Sequence, residues 1–238
     1  MEMNNRGALY ICYGDNYIKE GLISAESLKK FHPDLHVTFF SDKAFSSQFV
    51  DNVEIIKPNA KRPKVEYINQ APYKETLFLD VDTVINHKID DTFDLLDKFD
   101  IAGATDISRK RRKYSRIMPE YSNIPYSFSE INTGVLCFKK TEATESLFSL
   151  WRMYYKKYNK NCPWDQPSFR ISLWESSVNF HTLSREYNIR SSENRAKVEK
   201  IRRSGDEGHL VERIYHMHHG CETLESAKEH CEQNFHKY

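Results

Sequence analysis

Short apolar runs alternate along this chain with longer stretches of helical period. Ala8–Tyr13 (ALYICY) is apolar throughout, and Gly14-Asp15-Asn16 closes it, which reads as a buried strand and its turn. Over Tyr17–Phe31, the residues Leu22, Ala25, Leu28 and Phe31 fall on one stripe and predict a helix that His32-Pro33-Asp34 stops. His36–Phe40, Val53–Ile56 and Thr76–Asp80 predict further strands, with a short helix at Lys64–Gln70 and an extension of the last strand at Val84-Ile85. Asp91–Phe99 reads as helical and Ile101–Ala104 as a strand. Residues 105–129 break the pattern: they are polar, basic and Tyr-rich, contain Pro119 and Pro125, and predict a long loop. Regular patterning resumes with a strand at Gly134–Phe138, reached through a polar turn, and a helix at Thr141–Tyr158 with Leu147, Leu150, Trp151 and Tyr154 in register. A turn and helix at Pro163–Trp174, a strand at Leu210–Tyr215 and a helix at Thr223–Asn234 complete the chain. This alternation predicts an α/β fold with a mostly parallel central sheet flanked by helices. With no internal repeat and no linker, it predicts one domain over residues 1–238.

Composition narrows the function classes. The 238 residues are 39% hydrophobic, enough to bury a sizeable core. A net charge of +1 gives no global attraction to nucleic acid, and none is expected as a partner. No run approaches the roughly 18 apolar residues of a membrane span, and the amino terminus lacks a basic segment followed by a long apolar one. The five cysteines are scattered, with no CxxC pair, which disfavours zinc sites and a disulfide framework and suits a reducing cytoplasm.

Four polar constellations interrupt the apolar pattern. Leu77–Thr83 reads LFLDVDT, so an apolar strand ends in two aspartates one residue apart. Side chains at i and i+2 of a strand share a face, which would aim Asp80 and Asp82 together at its carboxyl end. Ligands bind at such ends in open α/β sheets, and two carboxylates there suit a hard divalent cation and, through it, nucleotide phosphates. Ile131–Leu136 (INTGVL) offers Asn132 as donor and acceptor, and Gly134 permits close backbone approach. Trp164-Asp165-Gln166-Pro167 places a carboxylate beside an amide, a pair able to orient a hydroxyl or stabilise developing charge, although Asp165 equally suits a helix cap. Ile214–Gly220 (IYHMHHG) carries three histidines in four residues, with His216 and His218 on one face, and imidazole beside carboxylates suits Mn²⁺-type ions.

In this order the set resembles the GT-A glycosyltransferases, in particular the family 8-like group of nucleotide-diphospho-sugar transferases, over about Leu9 to Gly220. The resemblance implies a GT-A, Rossmann-like fold, with a nucleotide-binding half at about residues 1–104 and an acceptor-side half at about 105–238. It implies a glycosyltransferase, with a hexosyltransferase as the expected kind, moving a sugar from a nucleotide-diphosphate donor, a UDP-sugar by family habit, to a glycan or other hydroxyl, with retention. Asp80 and Asp82 would bind Mn²⁺ or Mg²⁺, with Val81 between them beside the donor. His216 would complete the metal shell, with His218 as its competitor. Asn132 would contact the donor sugar, and Asp165 and Gln166 would face the reaction centre. Cys12, Tyr13 and Asn16 would lie by the base, and Arg62 and Lys64 by the donor phosphates or sugar. Gly14 stands where an acidic residue is expected, and Cys221-Glu222-Thr223 replaces a Lys-Pro-Trp-type ending.

The run Arg109–Arg116 (RKRRKYSR) holds six basic residues in eight. It reads either as a solvated loop or as a patch for an anionic acceptor or an anionic membrane surface. Two rival functions fit parts of the pattern. In a phosphatase of the haloacid dehalogenase type, Asp80 would be the nucleophile and Asp82 the general acid, but Thr83 stands where that pattern has glycine. A catalytically inactive nucleotide-sugar binding module would not need all four constellations together.

Overall fold

The computed structural model describes residues 5–106, 110–190, 211–216 and 219–235. The first apolar run forms strand β1 (Arg6–Cys12), whose alternating side chains divide the interior in two. Ala8, Tyr10 and Cys12 face one core, together with Ile18, Ala25 and Leu28 of helix α1 (Asp15–Phe31). Leu9 faces the other, which holds Leu147, Phe148 and Trp151 of α6 (Glu142–Tyr158), Phe169 of α7 (Gln166–Glu175) and Val65 of the short α2 (Pro63–Tyr67). Strand β4 (Glu75–Leu79) repeats the division, with Leu77 and Leu79 in the first core and Phe78 in the second. A strand buried on both faces carries no polar positions, which is why these segments read as continuous apolar runs.

The main sheet has seven strands in the order β3-β2-β1-β4-β7-β6-β8. Here β2 is His36–Ser41, β3 Asn52–Ile55, β6 Ile101–Thr105, β7 Ile131–Lys139 and β8 Phe180–Leu183. The β1–β2, β2–β3, β1–β4 and β6–β8 pairs are parallel, whereas β7 runs antiparallel to both β4 and β6. A separate antiparallel ribbon joins β5 (Thr83–Ile85) to β9 (Ile214–His216). The chain leaves β1 for β2 on one side and returns to β4 on the other. The carboxyl ends of β1 and β4 therefore flank a switch point, where open α/β sheets bind ligands.

Several expectations are corrected. Residues 105–129 are not one loop: α4 (Arg112–Ser115) and α5 (Pro119–Asn123) lie within them, with Pro119 at a helix start that needs no backbone N–H. Their Tyr114, Met118, Tyr121 and Ile124 bury against Tyr154, Cys162 and Ile171, so the aromatic content is a small core. Residues 131–133 belong to β7 and do not form a turn before it. Strand β8 was not expected; it is a short edge strand with mostly part-exposed side chains and no periodic signal. Of the strand expected over Leu210–Tyr215, Leu210 lies outside the described residues, 211–213 are not strand, and β9 takes only its last two residues; the region 91–99 combines a short helix α3 (Asp91–Asp94) with a 3₁₀ turn at Leu95–Asp97. The carboxyl-terminal helix α8 spans Leu224–Phe235. Among the described residues no helix is long and apolar enough to cross a membrane.

Candidate active site

A cleft of about 770 Å³ opens at the carboxyl ends of β1 and β4. Strand β4 ends at Leu79, so the two aspartates converge through a turn and not through strand alternation. Thr83 holds that turn: its hydroxyl donates to the Asp80 carbonyl at 2.8 Å, and its backbone N–H donates to the same oxygen at 3.3 Å. The β5–β9 ribbon pairs Thr83 with His216 and so carries the histidine to the aspartates from more than a hundred residues away. His216 Nε2 lies 3.1 Å from Asp82 Oδ1 and 3.8 Å from Asp80 Oδ2.

These atoms form a cation site by their chemistry. Asn188 Oδ1 lies 2.7 Å from His216 Nδ1, and an amide oxygen only accepts, so Nδ1 carries the proton. Nε2 therefore faces the two carboxylates, where it can donate to Asp82 in the metal-free protein or offer its lone pair to a bound ion. Ligand atoms of Asp80, Asp82 and His216 all lie within 4.8 Å of one another, in a partly buried pocket. Gly134 makes the space: a Cβ there would sit 2.2 Å from His216 Cε1 and 2.7 Å from Asp80 Oδ2. This is the close approach its glycine predicts. An oxygen, oxygen and imidazole set of this kind fits Mn²⁺ or Mg²⁺. His218 lies outside the described residues.

The electrostatics reinforce the point. Burial raises the Asp80 carboxyl, and Asp82 raises it further, while Lys64 pulls it back only in part. Burial also acts to raise Asp82, but His216 and His219 outweigh it and hold Asp82 well below the usual carboxylate range. His219 was not singled out from sequence as a ligand. Its Nε2 lies 3.2 Å from Asp82 and its Nδ1 3.4 Å from Glu20, and the Glu20 hydrogen bond, ahead of the opposing burial, raises its pKa.

Lys64 ties this cluster to the second one. Its ammonium lies 3.0 Å from both Asp80 oxygens, 3.2 Å from Asp165 Oδ2 and 3.2 Å from the Thr133 carbonyl. Burial acts to lower its pKa, but Asp165 and Asp80 outweigh that and raise it. Asp165 precedes α7 without capping it: its side chain makes no cap hydrogen bond and instead accepts from Thr133 Oγ1 at 2.6 Å and faces Arg62 Nε at 3.6 Å. Burial alone would raise Asp165, but Lys64, the Thr133 hydroxyl and Arg62 hold it below the usual range.

The amides form the third cluster. Asn132 Oδ1 accepts from the Gly134 N–H at 2.9 Å, and Asn132 Nδ2 donates to Gln166 Oε1 at 3.2 Å. Gln166 Nε2 donates to Glu130 Oε1 at 2.5 Å. Burial pushes the Glu130 carboxyl up, against the hydrogen bonds from Tyr121 and Gln166.

The structure thus brings Asp80, Val81, Asp82, Asn132, Asp165, Gln166 and His216 to one cleft, together with Arg62 and Lys64. Cys12 and Tyr13 also line it. Burial pushes the Cys12 thiol up to about 12, so it is a packing residue and not a nucleophile. Asn16 is exposed on the first turn of α1 and is not among the described residues that line the cleft, whereas Tyr17, not foreseen, lines it and is 54% exposed. The basic run divides by role, with Arg109 outside the described residues. Lys110 donates to the Ser122 and Ile124 carbonyls, and Arg111 pairs with buried Asp106 at 3.3 Å, as does Arg190. Arg112, Lys113 and Arg116 are exposed, and Lys113 lies 4.1 Å from the ring centroid of Trp164, which also lines the cleft.

The sequence profile of the nucleotide-diphospho-sugar transferase family matches residues 73–231. No curated protein sequence matches the chain. Among solved structures, the fold is similar to that of the galactosyltransferase LgtC in complex with donor and acceptor sugar analogs, with 14% identity, 96% of each chain covered and a TM-score of 0.64. It is also similar to mouse xyloside xylosyltransferase 1, with 16% identity, 92% of this chain and 99% of that one covered and a TM-score of 0.58. For the Streptococcus pneumoniae TIGR4 glycosyltransferase GlyE, the values are 16% identity, 90% of this chain, 54% of that one and 0.57. These matches displace the phosphatase reading of Asp80 and Asp82. The profile spans most of the chain and every element of the cleft beyond β1 to α2, and the chain is therefore a glycosyltransferase of the nucleotide-diphospho-sugar transferase family, built on the GT-A fold.

Proposed function

We propose that this enzyme transfers a sugar from a UDP-sugar to a hydroxyl of a glycan, with retention, in the cytoplasm, using Mn²⁺ or Mg²⁺ held by Asp80, Asp82 and His216. The observation that carries the reading is the convergence of two carboxylates and an imidazole nitrogen within a cleft that also holds Asp165 and Gln166. A divalent ion bound there supplies Lewis-acid stabilisation of the charge that builds on the leaving diphosphate. The nucleotide-binding half, residues 1–104, supplies Arg62 and Lys64 for the donor phosphates and the exposed rings of Tyr13 and Tyr17 for the base. Asn132 and Gln166 orient the donor sugar with amides already fixed by hydrogen bonds.

Retention is supported by the state of Asp165. An inverting enzyme needs a free carboxylate to take the acceptor proton. Asp165 is buried, with one oxygen occupied by Thr133 and Lys64 and the other facing Arg62. The acceptor-side half, residues 105–238, supplies Lys113 over Trp164 and the exposed Arg112 next to it in the chain, which suits a saccharide bearing phosphate or carboxylate.

Turnover tests the reading. With Mn²⁺, the protein is expected to release UDP from UDP-glucose or UDP-galactose, and EDTA or Asp82→Ala to abolish release. Full release in EDTA would refute the metal assignment, and phosphate release from a generic phosphate ester would restore the phosphatase.

A further inference from the structure

Glu130 belongs to no motif, yet it is fully buried immediately before β7 and sits at the end of a hydrogen-bond chain that reaches the cleft. The direction of that chain is fixed at one end by the backbone. The Gly134 N–H can only donate, so Asn132 must turn its oxygen to it, at 2.9 Å. The Asn132 amide nitrogen then faces Gln166, which must answer with its oxygen, at 3.2 Å. The Gln166 amide nitrogen is left facing the protein interior, where it needs an acceptor, and Glu130 Oε1 lies there at 2.5 Å. The second Glu130 oxygen accepts from the Tyr121 hydroxyl, which itself accepts from the Arg111 backbone N–H at 2.9 Å. Arg111 in turn pairs with Asp106. The chain therefore runs from the rim of the cleft at α4, through α5, to both amides. An amide held at one end only can rotate by 180° and exchange its oxygen for its nitrogen at little steric cost.

We propose that Glu130 is a positioning residue: as the hydrogen-bond acceptor for Gln166 Nε2, it anchors the far end of the chain whose direction the Gly134 N–H sets, and so holds the Gln166 amide, and through it the Asn132 amide, in the orientation that presents their remaining hydrogen-bonding capacity to the donor sugar. The inference rests on the proposed role of Gln166 and Asn132 at the reaction centre. It assigns Glu130 no contact with substrate. What matters is an acceptor at this position and not its charge, and this separates two substitutions. Glu130→Met keeps the size of the side chain but removes the acceptor and leaves the Gln166 amide held only at its Asn132 end. Glu130→Gln can turn its own oxygen to Gln166, preserving the acceptor there, while its nitrogen donates to the Tyr121 oxygen and reverses only that bond.

Two measurements on the full chain decide the matter. In ¹H–¹⁵N spectra, the Gln166 side-chain signals are identified by their loss in Gln166→Leu. One of its amide protons is expected downfield in the wild type and in Glu130→Gln, and back in the free range in Glu130→Met, with the Asn132 amide signals moving too. In Mn²⁺-dependent hydrolysis of UDP-glucose or UDP-galactose, Glu130→Met is expected to lose about tenfold in kcat, with donor KM within about twofold of the wild type. Glu130→Gln is expected to keep kcat within about threefold. Tyr121→Phe, which removes only one hydroxyl, serves as a second variant if Glu130→Met does not fold, and is expected to shift the same amide signals by a smaller amount. Unmoved amide signals in Glu130→Met, or in Tyr121→Phe where Glu130→Met does not fold, would overturn the proposal, as would Glu130→Gln being as impaired as Glu130→Met. A wild type that hydrolyses neither donor would refute the proposed function instead, and the amide spectra would still decide the role of Glu130.

Discussion

The two sides of the cleft are built on opposite principles. On one side, Asp80 and Asp82 crowd around His216 Nε2, and the positive charge of Lys64 offsets only part of what raises the Asp80 carboxyl. On the other, Asn132, Gln166, Glu130 and Tyr121 pair donor with acceptor in sequence, so that the amides are oriented before any ligand arrives. The first side is electrostatically incomplete and calls for a cation; the second is already ordered by its own hydrogen bonds. A binding site for a charged, leaving diphosphate and an orienting site for a neutral sugar ring are expected to differ in this way. Preorganised dipoles cost nothing at the moment of reaction, whereas a bound ion adds charge that no neutral side chain supplies.

Lys64 joins the two sides, and its removal is the largest perturbation of their balance. Lys64→Met leaves Asp80 and Asp165 without their shared cation in a mostly buried setting, and about 3–5 kcal/mol of stability is expected to be lost in metal-free protein. Urea unfolding measures this, and added Mn²⁺ is expected to restore part of it, because the ion takes over the neutralisation of Asp80. Unchanged stability would show that the ion pairs are not coupled to the fold. Gly134→Ala comes next. It places a methyl group against His216 and Asp80, and Mn²⁺ affinity is expected to fall by about 10–100-fold, read by electron paramagnetic resonance titration.

The motifs on both sides were legible because each is contiguous. LFLDVDT, INTG, WDQP and the His-rich end each place polar residues against an apolar run, and such a conflict has a functional reading. The groups that support them were not legible, because their partners are distant in the chain. Asn188 orients His216 across 28 residues, and Glu130 receives Gln166 across 36. No local pattern marks either one. Glu130 reads as an ordinary charged residue until β7 buries it completely. The sheet was legible where both faces are buried, as in β1 and β4, and not at β8, whose part-exposed edge carries no apolar run. Residues 105–129 misled for the converse reason: their charge is real, but it surrounds tyrosines that form a core of their own.

Two smaller effects are expected at Asp165 and at the basic rim. Asp165 is held below the 3.8 of an unperturbed aspartate, so the unfolded chain takes up its proton first. Its contribution to stability is therefore fully present above that value and is lost as the pH falls through the lower, folded value. The melting temperature of metal-free wild type is expected to exceed that of Asp165→Asn at neutral pH, with the two curves converging in acid; a gap that widened in acid would reverse the assignment. At the rim, charge reversal of Arg112 and Lys113 together is expected to raise KM for an acidic saccharide acceptor by about threefold more than for its neutral counterpart. Equal effects on both acceptors would leave these residues as solvated surface.

The account stands most directly on whether Asp80, Asp82 and His216 recruit a diphosphate through a divalent ion. Calorimetric titration of UDP into the wild type with Mn²⁺, into the wild type with EDTA, and into Asp82→Ala with Mn²⁺ tests this. Binding is predicted in the first titration and none in the other two. Equal UDP affinity in all three would contradict the account, because it would mean that the crowded carboxylates hold no ion that the nucleotide needs.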